Sequence, residues 1–446
     1  MQSNCGRRLF FMRLFSTLGS IATVLVNQTY CPAELSYPSQ WATQIGSDQN
    51  DEFLSLTVDH AENIYGVGRT YGSVGSSQQG NGDLLICKFD ADGQLLWSKQ
   101  SGDRRLNIVW DASTDSQDSL FICGQTGNAA GRDDAYLSKY DSNGTLLWSR
   151  LFDGTGENDY GRSLINDSLG NVYMVGESQK SAGFHDFDAF VRKYNGDGDL
   201  IWSRQVATSG DESANSVTLD GFGNLYIAGH ISGSGNFDAF LAKFDSNGEF
   251  KWTRQLGTSA SDIAWAVGVD SAGSAYITGQ TAGALGSANG GADDAFLAKY
   301  SQDGALQWTK QFGSAGTDVG SGLAVDANGN VLVGGWTSGR IGVVDLGLDD
   351  AFVTTFDADG QPMWTRQFGS DQLDQSSAII LDSFGNVLVS GSTQGVIGQE
   401  HFGALDGWIT KFSVPEPPSL VSALMIVGIG VVCLRRCGAQ FLNRRE

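Results

Sequence analysis

Residues 238–255 read DAFLAKFDSNGEFKWTRQ, and near-copies stand at 188–205 (DAFVRKYNGDGDLIWSRQ), 294–311 (DAFLAKYSQDGALQWTKQ) and 350–367 (DAFVTTFDADGQPMWTRQ). Each copy is two short apolar and aromatic runs around a four-residue link ending in Asn-Gly or Asp-Gly (D-x-N-G and D-x-D-G in two of them), which is how a β-hairpin is written, because Asn, Asp and Gly accept the positive φ of a tight turn. The copies belong to a longer period. An Asp with a Gly nine residues on recurs at 59/68, 115/124, 167/176, 220/229, 270/279, 326/335 and 382/391. A second Asp follows at 83, 134, 188, 238, 294, 350 and 406, and fourteen residues after the first six of these come Trp97, Trp148, Trp202, Trp252, Trp308 and Trp364. The seventh lacks its tryptophan, and Trp41 in WATQIGS stands ahead of the first unit.

Each unit resolves into four short strands, as in SVTLD, NLYIAG, DAFLAKF and EFKWTRQ of the fourth. One four-stranded sheet cannot cover both its faces, so the units must stack on one another. Seven of them close into a ring. The expected fold is all-β, a seven-bladed β-propeller over residues 41–413. With strands lettered A to D from the axis outward, the last blade takes its strand D from Trp41 to Ile45, so the two ends of the domain meet.

Composition agrees. The chain has 446 residues, 60 of them Gly, with 17% charged and 11% aromatic residues and a formal charge of −22. That charge repels phosphate backbones and excludes nucleic acid as a partner. Six cysteines are scattered without a C-x-x-C pair, and Cys87 and Cys123 sit inside apolar strand patterns, as buried thiols do.

Residues that recur in every blade are read first as packing. Trp41, Trp97, Trp148, Trp202, Trp252, Trp308 and Trp364 fill gaps between blades. Two cationic series, Lys88, Lys139, Lys193, Lys243, Lys299 and Lys411, and Lys99, Arg150, Arg204, Arg254, Lys310 and Arg366, are expected to pair with the repeated aspartates. The D-x-D-G links lack the third ligand and the downstream acid of a calcium loop, and read as turns. Variation is more informative: the B-to-C gap runs from 9 to 15 residues, whereas the C-to-D spacing is fixed. On the same rim the D-to-A loops carry Asp51, Asp159, Glu212, Asp262, Asp318 and Asp374. These acids either cap their own loops or form a weak cation collar, with calcium the candidate ion; no other cofactor is indicated.

No catalytic constellation is recognised. His60, His185, His230 and His401 fall at different places in the repeat, and H-E-x-x-H and G-x-S-x-G are missing. The expectation is a protein without enzymatic activity.

GNLYIAG (223–229) and DAFLAKFDSNGEFKWTRQ resemble the SBBP repeats of seven-bladed propellers in secreted bacterial proteins, with blade 2 (ASTDSQDSLFICG, 112–124) departing most. The ends read as targeting. Arg7, Arg8 and Arg13 precede an apolar stretch, so residues 1–33 are expected to be a signal peptide for export. Residues 414–446 hold Val414, Pro415, Glu416 and Pro417, an apolar run at 420–434 read as a transmembrane segment, then Arg435 and Arg436. That order resembles the PEP-CTERM sorting signal of Gram-negative bacteria. The resemblance implies transient membrane anchoring, recognition and cleavage by an exosortase-type enzyme, and delivery to the cell surface or extracellular matrix. Three functions follow in order: an interaction or scaffold module for surface proteins, a carbohydrate-binding module for envelope polysaccharide, and a polysaccharide hydrolase or lyase.

Overall fold

The computed structural model describes residues 10–13, 23–26 and 39–414, apart from 103–104, 153–156, 181–186, 207–209, 233–234, 343–345 and 399. The chain divides into two units, 1–38 and 39–446. In the first, Phe10–Arg13 pairs antiparallel with Thr23–Val26. The rest of the expected signal peptide lies outside the described residues, as do the motif residues from Pro415 onward and the apolar run at 420–434. Among the described residues no helix is long and apolar enough to cross a membrane.

In the second unit, seven four-stranded antiparallel sheets follow one another. Blade 4 is representative: strand A is Glu212–Leu219, B is Leu225–Ser232, C is Phe237–Phe244 and D is Phe250–Leu256. Strands B and C are buried on both faces, so they are nearly unbroken apolar runs, whereas D alternates because its outer edge meets solvent. The last blade joins Asp374–Leu381, Asn386–Thr393 and Asp406–Ser413 to Trp41–Ile45, in the order expected. Trp41 stands opposite Lys411 and Ile45 opposite Gly407. The seven A strands neighbour one another in sequence and close the ring.

One end of the ring, where A turns into B and C into D, is built alike in nearly every blade. The C–D turns place Gly93, Gly144, Gly198, Gly248, Gly304 and Gly360 at φ between 74° and 81°. The tryptophan of the preceding blade lies over each of these glycines: a Cβ on Gly304 would meet the Trp252 ring at 2.9 Å, and one on Gly93 would meet Trp41 at 2.5 Å. In blades 1 to 5 the same tryptophan packs against the aromatic of its own strand B, as Trp252 does on Tyr226 at 6.0 Å.

Five of the six members of the first cationic series behave as expected, while Lys243 donates instead to Gln302 O at 3.2 Å. Lys88, Lys139, Lys193, Lys299 and Lys411 pair with Asp59, Asp115, Asp167, Asp270 and Asp382 at 2.8–3.9 Å. The second series does not reach the aspartates. Lys99 donates to Gly144 O, while Arg150, Arg204 and Arg254 donate from Nε to Gly198, Gly248 and Gly304 O at 2.8–3.0 Å. The reason is reach: from strand D these side chains point at the next blade's turn, whose buried glycine carbonyls need donors. Cys87 and Cys123 are buried free thiols, and burial pushes both up, well away from ionisation at neutral pH.

Candidate functional site at the axial mouth

The seven A strands share one irregularity. In each, the register against strand B slips after the third residue, leaving the fourth as a β-bulge: Leu54, Trp110, Arg162, Asn215, Trp265, Ser321 and Ser377. A bulge re-aims its side chain and is common beside functional sites. Strand A lies nearest the axis and the bulge falls in its first half, so these seven side chains gather toward the end where the variable loops lie.

Beside each bulge stands the strand-B residue paired with the second residue of A: Arg69, Gln125, Glu177, His230, Gln280, Trp336 and Ser392. In blades 2 to 5 the two positions are hydrogen-bonded to each other. Trp110 Nε1 donates to Gln125 Oε1 at 2.9 Å, Arg162 Nε to Glu177 Oε1 at 3.1 Å, and Trp265 Nε1 to Gln280 Oε1 at 3.0 Å; Asn215 Nδ2 meets His230 Nδ1 at 3.3 Å. Blades 6, 7 and 1 carry only Ser321, Ser377 and Leu54 at the bulge. At the bulge itself the large polar and aromatic groups therefore form one arc over four consecutive blades, while Trp336 and Arg69 stand at the partner position of blades 6 and 1.

Within the arc, the Arg162 guanidinium lies over Trp110 at 4.9 Å and over Tyr160 at 5.0 Å, so one cation bridges aromatic rings of two blades. Tyr160 leans on Phe187 and His230 on Phe237. A second layer fixes the amides: Gln125 Nε2 donates to Asp133 and Gln280 Nε2 to Asp293. Burial holds the His230 imidazole below its usual range, with Arg162 adding to the effect against Glu177 and Asp211. Burial also raises the Asp133 carboxyl and the Tyr160 phenol. Trp265, 37% exposed, is the open edge of the arc. Preorganised rings and planar amides of this kind present flat apolar faces flanked by hydrogen-bonding groups.

Deeper toward the axis, Asp111 follows the blade 2 bulge. It accepts from Ser55 Oγ at 2.6 Å, Ser163 Oγ at 2.8 Å and Leu164 N at 2.9 Å, and so ties blades 1, 2 and 3 together. Burial raises its carboxyl in spite of those bonds.

The rim acids named from the sequence open strand A in six of the blades and are buried there. Asp51, Asp159, Asp262, Asp318 and Asp374 are fully buried and Glu212 nearly so. Four of them take the backbone N–H of the residue four positions earlier, Ser47, Thr258, Ser314 and Ser370, at 2.5 Å, together with its hydroxyl at 2.7–3.1 Å. Glu212 takes Gly210 N at 3.2 Å. Among the described residues no three His, Cys, Asp or Glu side chains converge as a metal site would require. Val414 follows the last strand C directly and packs against the cluster that holds Trp364 and Phe412. His401 meets Asp406 at 3.0 Å and His60 meets Asp118 at 2.9 Å, both far from the arc in sequence, and His185 lies outside the described residues.

The arc leaves no periodic mark, because its residues do not recur from blade to blade. Aligning the seven A strands on their first residue puts L, W, R, N, W, S and S in the fourth column. It is the one column where tryptophans outside the repeated series alternate with serine.

The β-propeller repeat family SBBP matches residues 201–238, 251–286, 307–342 and 364–398. Each match begins in a strand D and ends beyond the next strand B, so the sequence repeat is offset from the blade by one strand, as the closure of the ring by residues 41–45 requires. Regulatory protein FlaEY of Caulobacter vibrioides is 31% identical over 136 residues, which is 28% of this chain and 14% of that protein. An uncharacterized WD repeat-containing protein of Acanthamoeba polyphaga mimivirus is 23% identical over 194 residues, 32% of this chain and 14% of the relative. The chain thus spans about a seventh of each curated relative's length. Among solved structures, Sqt1 from Chaetomium thermophilum superposes with a TM-score of 0.48 at 11% identity, covering 85% of this chain and 99% of that one. The chain carries SBBP β-propeller repeats, set in a ring of seven four-stranded blades.

Proposed function

We propose that this propeller is an exported, non-catalytic interaction module of the cell surface or extracellular matrix of a Gram-negative-type bacterium, and that it takes its ligand on the arc of blades 2 to 5. The observation that carries the reading is the contrast inside the repeat: Trp110, Arg162, Asn215 and Trp265 occupy a column that elsewhere holds Ser321, Ser377 and Leu54. Packing alone would not ask for two tryptophans and an arginine there, since other blades close without them. Export rests on the amino-terminal arginines and apolar stretch. Delivery rests on the order of Val414 to Pro417, the run at 420–434, Arg435 and Arg436, which suits an exosortase-type enzyme acting on a briefly anchored chain.

A carbohydrate ligand is the second reading, and the aromatics favour it: Trp110, Tyr160 and Trp265 beside Gln125 and Gln280 suit the apolar faces and hydroxyls of a sugar. A hydrolase or lyase has less support, because Glu177 is held by Arg162. The test is binding of the mature protein from its native host to envelope polysaccharides and surface proteins. Trp265→Ala and Arg162→Ala should each weaken the bound ligand at least tenfold, about 1.4 kcal/mol, with the fold intact. Unchanged binding in both would move the site elsewhere. Mass spectrometry of the same protein should find a chain ending near residue 417; an intact carboxyl end in the membrane fraction would make the tail a plain anchor.

A further inference from the structure

Where one blade meets the next, two buried carboxylates face each other without a counter-charge. Strand C of blade 5 opens with Asp294 and strand A of blade 6 with Asp318, 3% and 0% exposed. Asp294 Oδ2 accepts from Gly290 N at 2.9 Å and Gln311 Nε2 at 2.8 Å. Asp318 Oδ2 accepts from Ser314 N at 2.5 Å and Ser314 Oγ at 3.1 Å, and its Oδ1 takes the Thr337 hydroxyl. The fourth oxygen, Asp294 Oδ1, has no hydrogen-bond partner. It and Asp318 Oδ2 both lie within 2.7 Å of the point a Cβ on Gly313 would occupy, so both carboxylates pack against that glycine.

Blades 6 and 7 repeat the arrangement. Asp350 Oδ2 accepts from Leu346 N and Gln367 Nε2, Asp374 accepts from Ser370 and Thr393, and Asp350 Oδ1 is the oxygen left over. Asp350 Oδ1 and Asp374 Oδ2 flank Gly369 at 2.8 and 2.7 Å from its missing Cβ. From strand D come only Gln311 and Gln367, from strand B only Thr337 and Thr393, and from the preceding loops only Ser314 and Ser370. The nearest further acids are Asp293 and Asp349, which accept from Gln280 and Gln375. Among the described residues no lysine, arginine or histidine forms an ion pair with any of the four carboxylates.

Two adjacent charges cannot both stay ionised when buried and uncompensated. The groups around them are N–H and O–H donors, which satisfy carboxylate oxygens without neutralising their charge. Only the oxygen left without a donor has room for a hydrogen. We propose that each junction holds one proton on its pair of buried carboxylates, Asp294 with Asp318 and Asp350 with Asp374, so that the blades meet there without charge repulsion and loosen as the protons leave.

The junction of blades 1 and 2 supports this from the sequence side: there the acid opening strand A is replaced by Asn107, an uncharged group beside Gly102 and Asp83. Burial, with the neighbouring aspartate adding to it, raises both Asp318 and Asp374. At the junction of blades 7 and 1, Asp51 faces Asp406, but His401 lies 3.0 Å from Asp406 Oδ2 and can carry a positive charge, so that pair follows a different rule. A proton held more tightly in the fold than in the unfolded chain, where aspartate titrates near pH 3.9, stabilises below that value. The contribution is lost as pH rises through the folded value.

The experiment uses the full chain. Infrared spectra at pH 6 should show the carbonyl band of protonated carboxylic acid, fading as pH is raised, and unfolding at pH 6 should release about two protons from these pairs. The double variant Asp294→Asn/Asp350→Asn removes one ionisable member of each pair. It should lose the band and melt at a temperature that changes less between pH 5 and 9 than that of the unmodified protein. No band and no proton release at pH 6 would overturn the proposal. So would a calcium-induced rise in melting temperature that the double variant loses, since the counter-charge would then be a metal ion. Should the variant fail to fold, the band and the proton release of the unmodified chain decide alone.

Discussion

The two ends of the ring follow different rules. At the end of the A–B and C–D turns, blade after blade sets an aspartate that caps its own turn, a positive-φ residue, a lysine on an aromatic ring and a tryptophan over the next blade's glycine. At the opposite end the B–C loops differ in length, and the bulged fourth residue of strand A changes from tryptophan to arginine to serine. The first end is what seven sheets need in order to stack at one angle. The second is released from that demand, because strand A is already held by strand B and by its neighbours around the axis. A repeat protein thus keeps its residues where packing sets them and varies them where a ligand can.

The sharpest way to break the comparison is at the closure, where the shared end is made from distant parts of the chain. Trp41 Nε1 donates to Ala91 O at 3.1 Å, Thr43 Oγ1 to Gly93 O at 2.8 Å, and Gln44 Nε2 to Asp406 Oδ2 at 2.8 Å and Gly395 O at 2.9 Å. Removing residues 41–46 deletes all four bonds and bares the edge of Asp406–Ser413. A loss of about 4 kcal/mol or more is expected, with aggregation through the open edge. Thermal melting with light scattering measures both, and a melting curve unchanged by the deletion would mean that the ring does not depend on its closure.

The lysine layer comes next. Lys411 lies 2.8 Å from Asp382 and both are almost wholly buried. Lys411→Met should cost about 3 kcal/mol at pH 7, because it leaves a buried carboxylate alone. Burial by itself would raise Asp382, but the bonds from Lys411 and Asn386 outweigh it and hold the carboxyl below its usual range. The stability it lends is therefore present above the unfolded value near pH 4 and is lost on acidification, so the gap between variant and parent should close toward pH 2–3. Denaturant titrations at the two pH values measure it. Blade 6 already has Thr355 at this place, and in blade 4 Lys243 donates to Gln302 O, so two blades do without the pair. At the turns, Gly304→Ala forces an alanine to φ +81° with its Cβ 2.9 Å from Trp252, at a cost of about 2 kcal/mol in the same titration.

The fold was legible because its demands recur. The Asp–Gly pair nine residues apart, the D-x-N-G turn and the displaced Trp41 each state a packing rule seven times or explain a gap in it. The arc was legible only in part, since a β-bulge leaves no mark of its own in composition: Trp110 and Trp265 look like any strand residues until the register slip after Val109 and Ala264 is known. The rim acids were visible as a series, but their direction was not. Whether Asp374 faces solvent or its own loop depends on Ser370 and Thr393, two residues whose role appears only once strands A and B are paired.

The smallest effect should have the opposite sign. Blades 3 to 7 put a glycine at the left-handed position of the A–B turn, at φ near 80°, whereas blade 1 places Glu62 there at 63° and blade 2 Asp118 at 58°. A side chain in that region crowds its own backbone, and glycine relieves it. Glu62 gains nothing evident in return, since its Oε2 is buried without a hydrogen-bond partner. Asp118 does gain: its carboxylate accepts from the backbone N of His60 at 2.9 Å and meets the His60 ring at the same distance, and those hydrogen bonds hold its carboxyl below the usual range. Glu62→Gly should therefore stabilise the ring by about 0.5–1 kcal/mol, the strain being only partly offset by the entropy glycine adds to the unfolded chain. Asp118→Gly should come out near zero, as relief of strain is cancelled by loss of the contact that joins the turns of blades 1 and 2. Chemical denaturation of both variants distinguishes the two accounts: equal gains would show that backbone strain alone sets the turn, and a gain in Asp118→Gly larger than in Glu62→Gly would show that the His60 contact contributes nothing to the shared end of the ring.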